Sequence, residues 1–561
     1  MGFLESIDTG LSDLVGQWNG YSTCLVTLLV TVITYRVMSS READVHPMLL
    51  VRQSVAAPVR NEGESAVYRC QALPHGMPLN GGLNVRDTGA SKWSQGRDGD
   101  LRDVWRRAVS GTDAGAKGRL LTVLGSEKVV EHRLDDVTRQ IKIIGRHLSD
   151  SGSIKVAVYL PNSLELMVTL LACSFYPNLT TVLIPFDVTS EELVSMLKRS
   201  AVDTVVAATG EFPLEDVVDA YPSLRQLVWV VDEGSSHMDW NEAPDGMKGN
   251  LELATWQDIV DEARDSVDGD LPALESEFNP QDIVTLWQRK PGQPEEMIRF
   301  TQANLAAGIA GQIAALPTRE RLDASDLFLP ADPLSNIHTL ILTLAALYSN
   351  ASVAFNSVAG RSPHLALATQ GIAPTVLVAS AGSLLEVHRE SMSKLGQGLG
   401  RLSHRLSTRN LTEDGVLVGF NPLVAFGAAA RAAIGTTPAR LRLVYVADRA
   451  GTDTPPLSSS VLSDLRVFTG ARIIYALAAA RVAGSVSQTA YFDYRVDPNG
   501  TSHFGAPTTS VEIYLKDKGV HKTTDDCVEG EIVARGPCVS GAEVELGVVG
   551  KILDDGTLAY V

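Results

Sequence analysis

IKVAVYLPNSLELMVTLLACSF, residues 154–175, decides the fold. Its first part, 154–160, is a short apolar run rich in Val and Tyr, and Pro161-Asn162-Ser163 closes it, so it reads as a buried strand. The apolar segment Leu164–Phe175 then reads as a helix. Working outward, the alternation repeats: a strand at 180–184, a helix at 191–200 and a strand at 204–208. Upstream, 134–148 carries Val137, Ile141, Ile144 and Leu148 on one helical side. Alternating strands and helices predict a largely parallel, helix-covered sheet.

The pattern continues with strands at 227–231, 282–287, 326–330, 351–355, 374–379, 440–446 and 471–480. Helices are expected at 306–316, 338–348 and 384–411, with an acidic surface excursion at 238–277. Beyond residue 500 alternating segments at 511–515 and 529–537 predict β structure. With 561 residues the chain is too long for one compact core. A net charge of −18 without clusters of Lys or Arg excludes nucleic acid as a partner. Five widely spaced cysteines, at 24, 70, 173, 527 and 538, give neither zinc spacing nor a disulfide framework, so no metal site is expected.

From Trp18 to Tyr35 the chain carries 18 uncharged residues, at the low end of the ~17–25 that cross a hydrocarbon core. Trp18, Tyr21 and Tyr35 sit near the ends, as interfacial aromatics do. A membrane span at about 18–38 is therefore expected. The acidic leader, with Glu5, Asp8 and Asp13, argues against a cleaved signal peptide. Arg36 and Arg41 follow the span, which puts the large C-terminal body in the cytosol. Sequons at Asn178, Asn350, Asn410 and Asn499 check that orientation, since only a lumenal body is glycosylated.

Between the α/β segments lies TLWQRKPGQPEEMIRFTQANL, residues 285–305. An apolar run, a Gly/Pro-containing loop and a helix in that order suit an anion, because backbone N–H groups at the turn and helix start can face it. With LPNSLELMVTLLA (160–172), PLSNI (333–337) and YALAA (475–479), this stretch resembles the AMP-forming acyl-CoA synthetases of the ANL superfamily of adenylate-forming enzymes. The resemblance spans about 120–561. It implies two helix-covered, mostly parallel sheets plus a small β-rich subdomain. The expected divisions are a membrane anchor at 1–45, an irregular extension at 46–118, α/β subdomains at 119–370 and 371–500, and the β-rich subdomain at 501–561. Within the extension, HPMLLVRQS, GESAVYR and GRDGDLRDVWRRAV resemble segments of fungal long-chain acyl-CoA synthetase relatives, with Trp105 as a tether.

The family's loop runs YTSGTTGxPKGV and then THxNL. Here TQANL (301–305) fits the tail, but 288–297 keeps one glycine, Gly292, and puts Glu295 and Glu296 where a lysine meets phosphate. Two like charges about 4 Å apart near a surface repel by roughly 4 kcal/mol. Lys290 or Arg289 is the available substitute. Asn336 holds the place of the PLxHI histidine beside the acyl pocket, while His338 reads as a capping or core residue. Of the YGxTE motif only Tyr475 remains, and Ala476, Ala478 and Ala479 replace glycine, threonine and glutamate. Magnesium needs oxygen ligands that alanine lacks. Leu546-Gly547-Val548 stands for TGD, and valine cannot accept a ribose hydroxyl. The C-terminal lid is expected to be absent.

No catalytic residue is thus intact, and Lys290, Gly292, Thr301 and Tyr475 are the remaining positions of a degenerate nucleotide site, with Asn336 marking a substrate pocket. The resemblance points to a membrane-anchored, catalytically impaired acyl-CoA-synthetase-like protein that acts as a binding or scaffold module in lipid metabolism. The alternatives are an active ATP- and magnesium-dependent long-chain fatty-acid:CoA ligase and a structural tether. Expected partners are membrane lipid, fatty acid or acyl-CoA, and a protein supplying the lid. The expected location is the endoplasmic reticulum or a lipid droplet.

Overall fold

The computed structural model describes residues 16, 18–39, 42–231, 251–270, 279–417 and 431–561, apart from 87–88, 92, 113, 126–127, 187, 291–292, 359–363, 397, 438–439, 498–499 and 526. It divides into two units, Met1–Val45 and His46–Val561.

The first unit is a helix, Gly20–Ser39. Asn19 accepts from the Ser22 N–H at 3.1 Å, and the Thr27 and Thr31 hydroxyls return to the carbonyls four residues back, each at 2.7 Å. Leu25, Leu28, Val30 and Ile33 are exposed. Among the described residues no helix is long and apolar enough to cross a membrane, against the span expected at about 18–38. Ser22, Thr23, Thr27, Thr31 and Thr34 interrupt the apolar residues of this helix.

The second unit contains three sheets. In the first, the order is Glu296–Phe300, Ile283–Trp287, Thr180–Leu183, Lys155–Tyr159, Thr204–Ala208, Gln226–Val230 and Glu252–Thr255. All neighbours are parallel except Glu296–Phe300, which folds back on Ile283–Trp287. The segment 285–305 is therefore strand, loop, strand and helix, not strand, loop and helix. Within the expected surface excursion, Glu252–Thr255 adds an edge strand and Trp256–Ala263 a helix. Thr255 caps that helix and Trp256 is buried, so apolar anchors among the acids fix this part. Residues 238–250 and 271–277 lie outside those described.

The second sheet runs Ala506–Pro507, Ser485–Gln488, Arg472–Ala478, Leu443–Arg449, Val376–Val378, Leu327–Pro330, Ser352–Asn356, Leu120–Leu124 and Lys128–His132. Its central six strands, from Arg472–Ala478 to Leu120–Leu124, are parallel. Position 370 falls inside this sheet, not between two. After Leu327–Pro330 the chain pairs first on one side and then on the other, which makes that strand the switch point where ligands of open α/β sheets settle. The helices Leu164–Phe175 and Ile337–Tyr348 are apolar nearly all round and correspondingly buried. The polar stretch 384–411 breaks into Ala381–Lys394 and Leu399–Thr412, because Gly396 and Gly398 take left-handed φ of 64° and 83°.

The third sheet is antiparallel and joins Ser54–Ala56 and Tyr68–Cys70 to the four strands between Glu512 and Tyr560. The extension 46–118, largely without regular structure, supplies two short strands and the helix Leu101–Ser110. Asp100 and Asp103 form a capping box at that helix, and Trp105, fully buried, donates Nε1–H to Thr138 at 3.1 Å. Gln53 donates to buried Asp493 at 2.7 Å, 440 residues away.

Candidate functional site

Each chain element near the switch point is held by backbone satisfaction. Asn162, in the turn after Lys155–Tyr159, donates Nδ2 to the carbonyls of Pro330 and Asp332 at 3.0 and 2.9 Å and accepts from the Leu334 N–H at 2.8 Å. One side chain therefore fixes the loop that carries Asp332 and Asn336. Asp332 Oδ2 in turn accepts from Asn336 at 2.7 Å and Thr339 at 2.6 Å. Ser380 caps the helix Ala381–Lys394 by accepting from the Ser383 N–H.

These groups surround a cavity of about 240 Å³. Trp287, Val378, Arg449 and Ala478, the last residues of four strands drawn from both parallel sheets, line it. Asp332, Asn336 and His338 face them, and Ser380, Ala381 and Gly382 bring the start of a helix to its wall. The Arg449 guanidinium lies 4.5 Å from the centre of the Trp287 ring. Its Nε is buried without a hydrogen-bond partner. Burial pushes the Arg449 pKa below the ordinary arginine value, and Asp332 opposes the shift.

His338 is held at about 4 by burial and is neutral at physiological pH. Its Nε2 is 3.1 Å from Ser485 Oγ, which donates to Gln488 Oε1 and accepts from Gln312 Nε2. With that hydroxyl's proton already used, His338 Nε2–H is the donor.

Of the residues singled out in the sequence, Asn336 lines the cavity. Tyr475 does not. It is buried against Phe504, with its hydroxyl donated to Asp448 at 3.3 Å, and Tyr560 donates to the other oxygen of Asp448 at 2.7 Å. Burial raises the Asp448 pKa and the two hydroxyls oppose that. Thr301 caps the helix Gln302–Ala315 in a reciprocal box with Asn304, whose Nδ2 reaches the carbonyls of Pro537 and Val539. The TQANL match is accounted for by helix capping and packing. Lys290 is exposed and does not line the cavity, and Gly292 lies outside the described residues.

The two glutamates of the loop are not a free negative pair. Glu295, buried, pairs with Arg199 at 2.9 Å, and Glu296 takes Arg481 at 2.7 Å and Arg289 at 3.3 Å. Arg289 lies over the glycine that stands in the TGD position: a Cβ added at Gly547 would sit 3.0 Å from its Nη1. A nucleotide with magnesium does not fit this arrangement. Ala478 and Ala479 offer no side-chain oxygen to a hard cation, and each loop glutamate is engaged by arginine. His364, Glu386 and Glu390 bring ligand atoms within 4.8 Å of one another, but none lines the cavity. Arg449, Trp287 and Asp332 were missed as site residues. The available signal was the charged end of an apolar strand, LVYVADR.

Solved structures of AMP-forming acyl-CoA and aryl-CoA ligases share this fold. The chain is similar to anthranilate CoA ligase AuaEII in complex with anthranoyl-AMP, at a TM-score of 0.57 and 14% identity, covering 82% of this chain and 77% of that one. It is similar to the long-chain-fatty-acid-CoA ligase FadD1 from Archaeoglobus fulgidus, at 0.57 and 15%, covering 82% and 84%. It also matches the N-terminal domain of FACL13 from Mycobacterium tuberculosis, at 0.57 and 12%, covering 82% and 99%. Among curated proteins it is 20% identical over 350 residues to the uncharacterized protein YHR045W of Saccharomyces cerevisiae, spanning 57% of this chain and 54% of that protein. No family model matches the sequence.

Proposed function

We propose that the protein is a non-adenylating binding module built on the acyl-CoA ligase fold, holding a carboxylic acid or acyl group without activating it. The observation that carries this reading is Ala478 at the cavity wall, followed by Ala479: neither has a side-chain oxygen where the ligases' motif supplies threonine and glutamate. Losing one electrostatic partner of a transition state typically costs ~100–1,000-fold in rate. Incubated with ATP, magnesium and palmitate, the protein releases no AMP above a heat-inactivated control; robust release would establish an active ligase instead.

Membrane attachment through Gly20–Ser39 is part of the same proposal. Its support is the exposed set Leu25, Leu28, Leu29, Val30, Val32 and Ile33 on one short helix. The protein is expected to float with liposomes, and Leu25→Glu with Leu29→Glu to release it. With the body in the cytosol, Asn178, Asn350 and Asn410 stay unglycosylated. Imaging of the tagged full chain tests for endoplasmic reticulum or lipid droplets, and the unshifted glycosylation pattern tests the topology.

A further inference from the structure

We infer that Arg449 is the receptor for a small, unesterified carboxylate, whose apolar body lies over Trp287 and against Val378, Ala447, Pro455 and Ala478. The inference rests on the non-adenylating reading and adds which chemical form of ligand is held.

A guanidinium carries five donors in a planar fork. That of Arg449 makes no hydrogen bond and no ion pair among the described residues, and its Nε is fully buried. A buried cation left unpaired is costly unless an anion joins it. The nearest acid in the cavity, Asp332, does not come within ion-pair reach, and its Oδ2 is already taken by Asn336 and Thr339. Contact with the Trp287 ring, 4.5 Å from the guanidinium carbon to the ring centre, restrains the group, and its fork of N–H donors matches the paired N–H···O contacts that a carboxylate accepts. The start of the helix Ala381–Lys394, at the same wall, adds a second anion-favouring field.

Size and charge narrow the class. At about 240 Å³ the cavity lies below the ~300–1,000 Å³ of drug-sized sites. Among its lining residues Arg449 is the one permanent cation, opposed by Asp332, with His338 neutral. Asp332 is engaged by Asn336 and Thr339, so one guanidinium is left to pair with one monoanion, whereas a triphosphate brings several charges to one arginine. An ester carbonyl carries no charge for the guanidinium to pair with, so the site distinguishes a free carboxylate from its ester.

Isothermal titration of the full chain in detergent with hexanoate and with methyl hexanoate tests this. Saturable hexanoate binding is expected. R449M weakens it about 10–100-fold, the range for a lost hydrogen-bonded charge, R449K falls between, and the ester binds no better than hexanoate binds R449M. Equal binding of acid and ester, an unchanged R449M, or no saturation by about 10 mM hexanoate would overturn the inference. If R449M loses its cooperative melt, the acid-over-ester preference of the unsubstituted protein decides alone. ATP-dependent AMP release is measured in parallel: its appearance removes the non-adenylating reading, while absent AMP with absent hexanoate binding removes only the assignment of Arg449.

Discussion

Replacing Asp493 by Asn tests how the N-terminal strands are locked to the body. The Asp493 side chain is fully buried. Arg495 grips it through Nη2 at 2.6 Å and Nε at 2.8 Å, Gln53 donates at 2.7 Å, and His503 stands 3.5 Å away. Burial alone would raise the carboxyl pKa, but the Arg495 contacts and the other donors outweigh it and hold the value at about 2 against an ordinary 3.8. At ~1.4 kcal/mol per unit, that gap contributes roughly 2–3 kcal/mol to stability. The sign follows from a folded pKa below the unfolded one. The contribution is complete above the unfolded value near 3.8 and is lost as pH falls through about 2. In D493N, Arg495 keeps Asp555 at 2.7 Å. The cost therefore stays at roughly 2–3 kcal/mol and does not reach the upper end of the ~3–5 of a stranded buried charge. Hydrogen exchange at pH 7 over peptides spanning 50–56 and 489–495 reads it. Any opening that returns Asp493 to water becomes ~60-fold more frequent in D493N, and the difference from wild type shrinks towards pH 2. An effect under about threefold, or one that persists at pH 2, would refute the reasoning.

Three further outcomes are expected. His338, held at about 4 against an ordinary 6.5, stays neutral while the unfolded chain takes up a proton, so stability falls between those values, by ~2 kcal/mol at pH 5; thermal melts of His338→Gln lose that part of the decline. A Cβ at Gly505, where φ is 70°, would meet the Gln488 carbonyl oxygen at 2.0 Å, so Gly505→Ala should cost more than ~3 kcal/mol and show as a large drop in melting temperature. Asn304→Ala removes bonds of 2.8 and 3.0 Å to Pro537 and Val539 along with half of a capping box, and urea unfolding should register ~2–3 kcal/mol.

What could be read in advance follows from how locally each feature is encoded. The run from residue 154 to 208 carries its own signals: each strand is a continuous apolar run, Ser163 caps one helix and Thr189 another with a reciprocal Glu192. Ser54–Ala56 and Tyr68–Cys70 have no such signal, since strands of three residues acquire meaning only from partners far along the chain. Glu296–Phe300 reads as loop because Met297 and Arg299 face outward on a turned-back edge strand and Glu296 is charged. At the site, Asn336 was marked by its motif and lies on the cavity. Arg449 was not, because its position matters only through Trp287, which arrives from the other parallel sheet. Thr301 and Tyr475 carry the opposite lesson. A residue that matches a motif can be held in place by capping or packing alone.

The bond from Gln53 to Asp493 also sets a clock on biosynthesis. The two residues stand 440 positions apart. At ~5–20 residues per second, the ribosome needs roughly 20–90 s to deliver the second after the first. Throughout that interval the pair Ser54–Ala56 and Tyr68–Cys70 has emerged without the strand Glu512–Lys516, and the outer edge of Tyr68–Cys70 is bare until that strand arrives. Chaperone occupancy on nascent chains should therefore persist until the last sheet is translated.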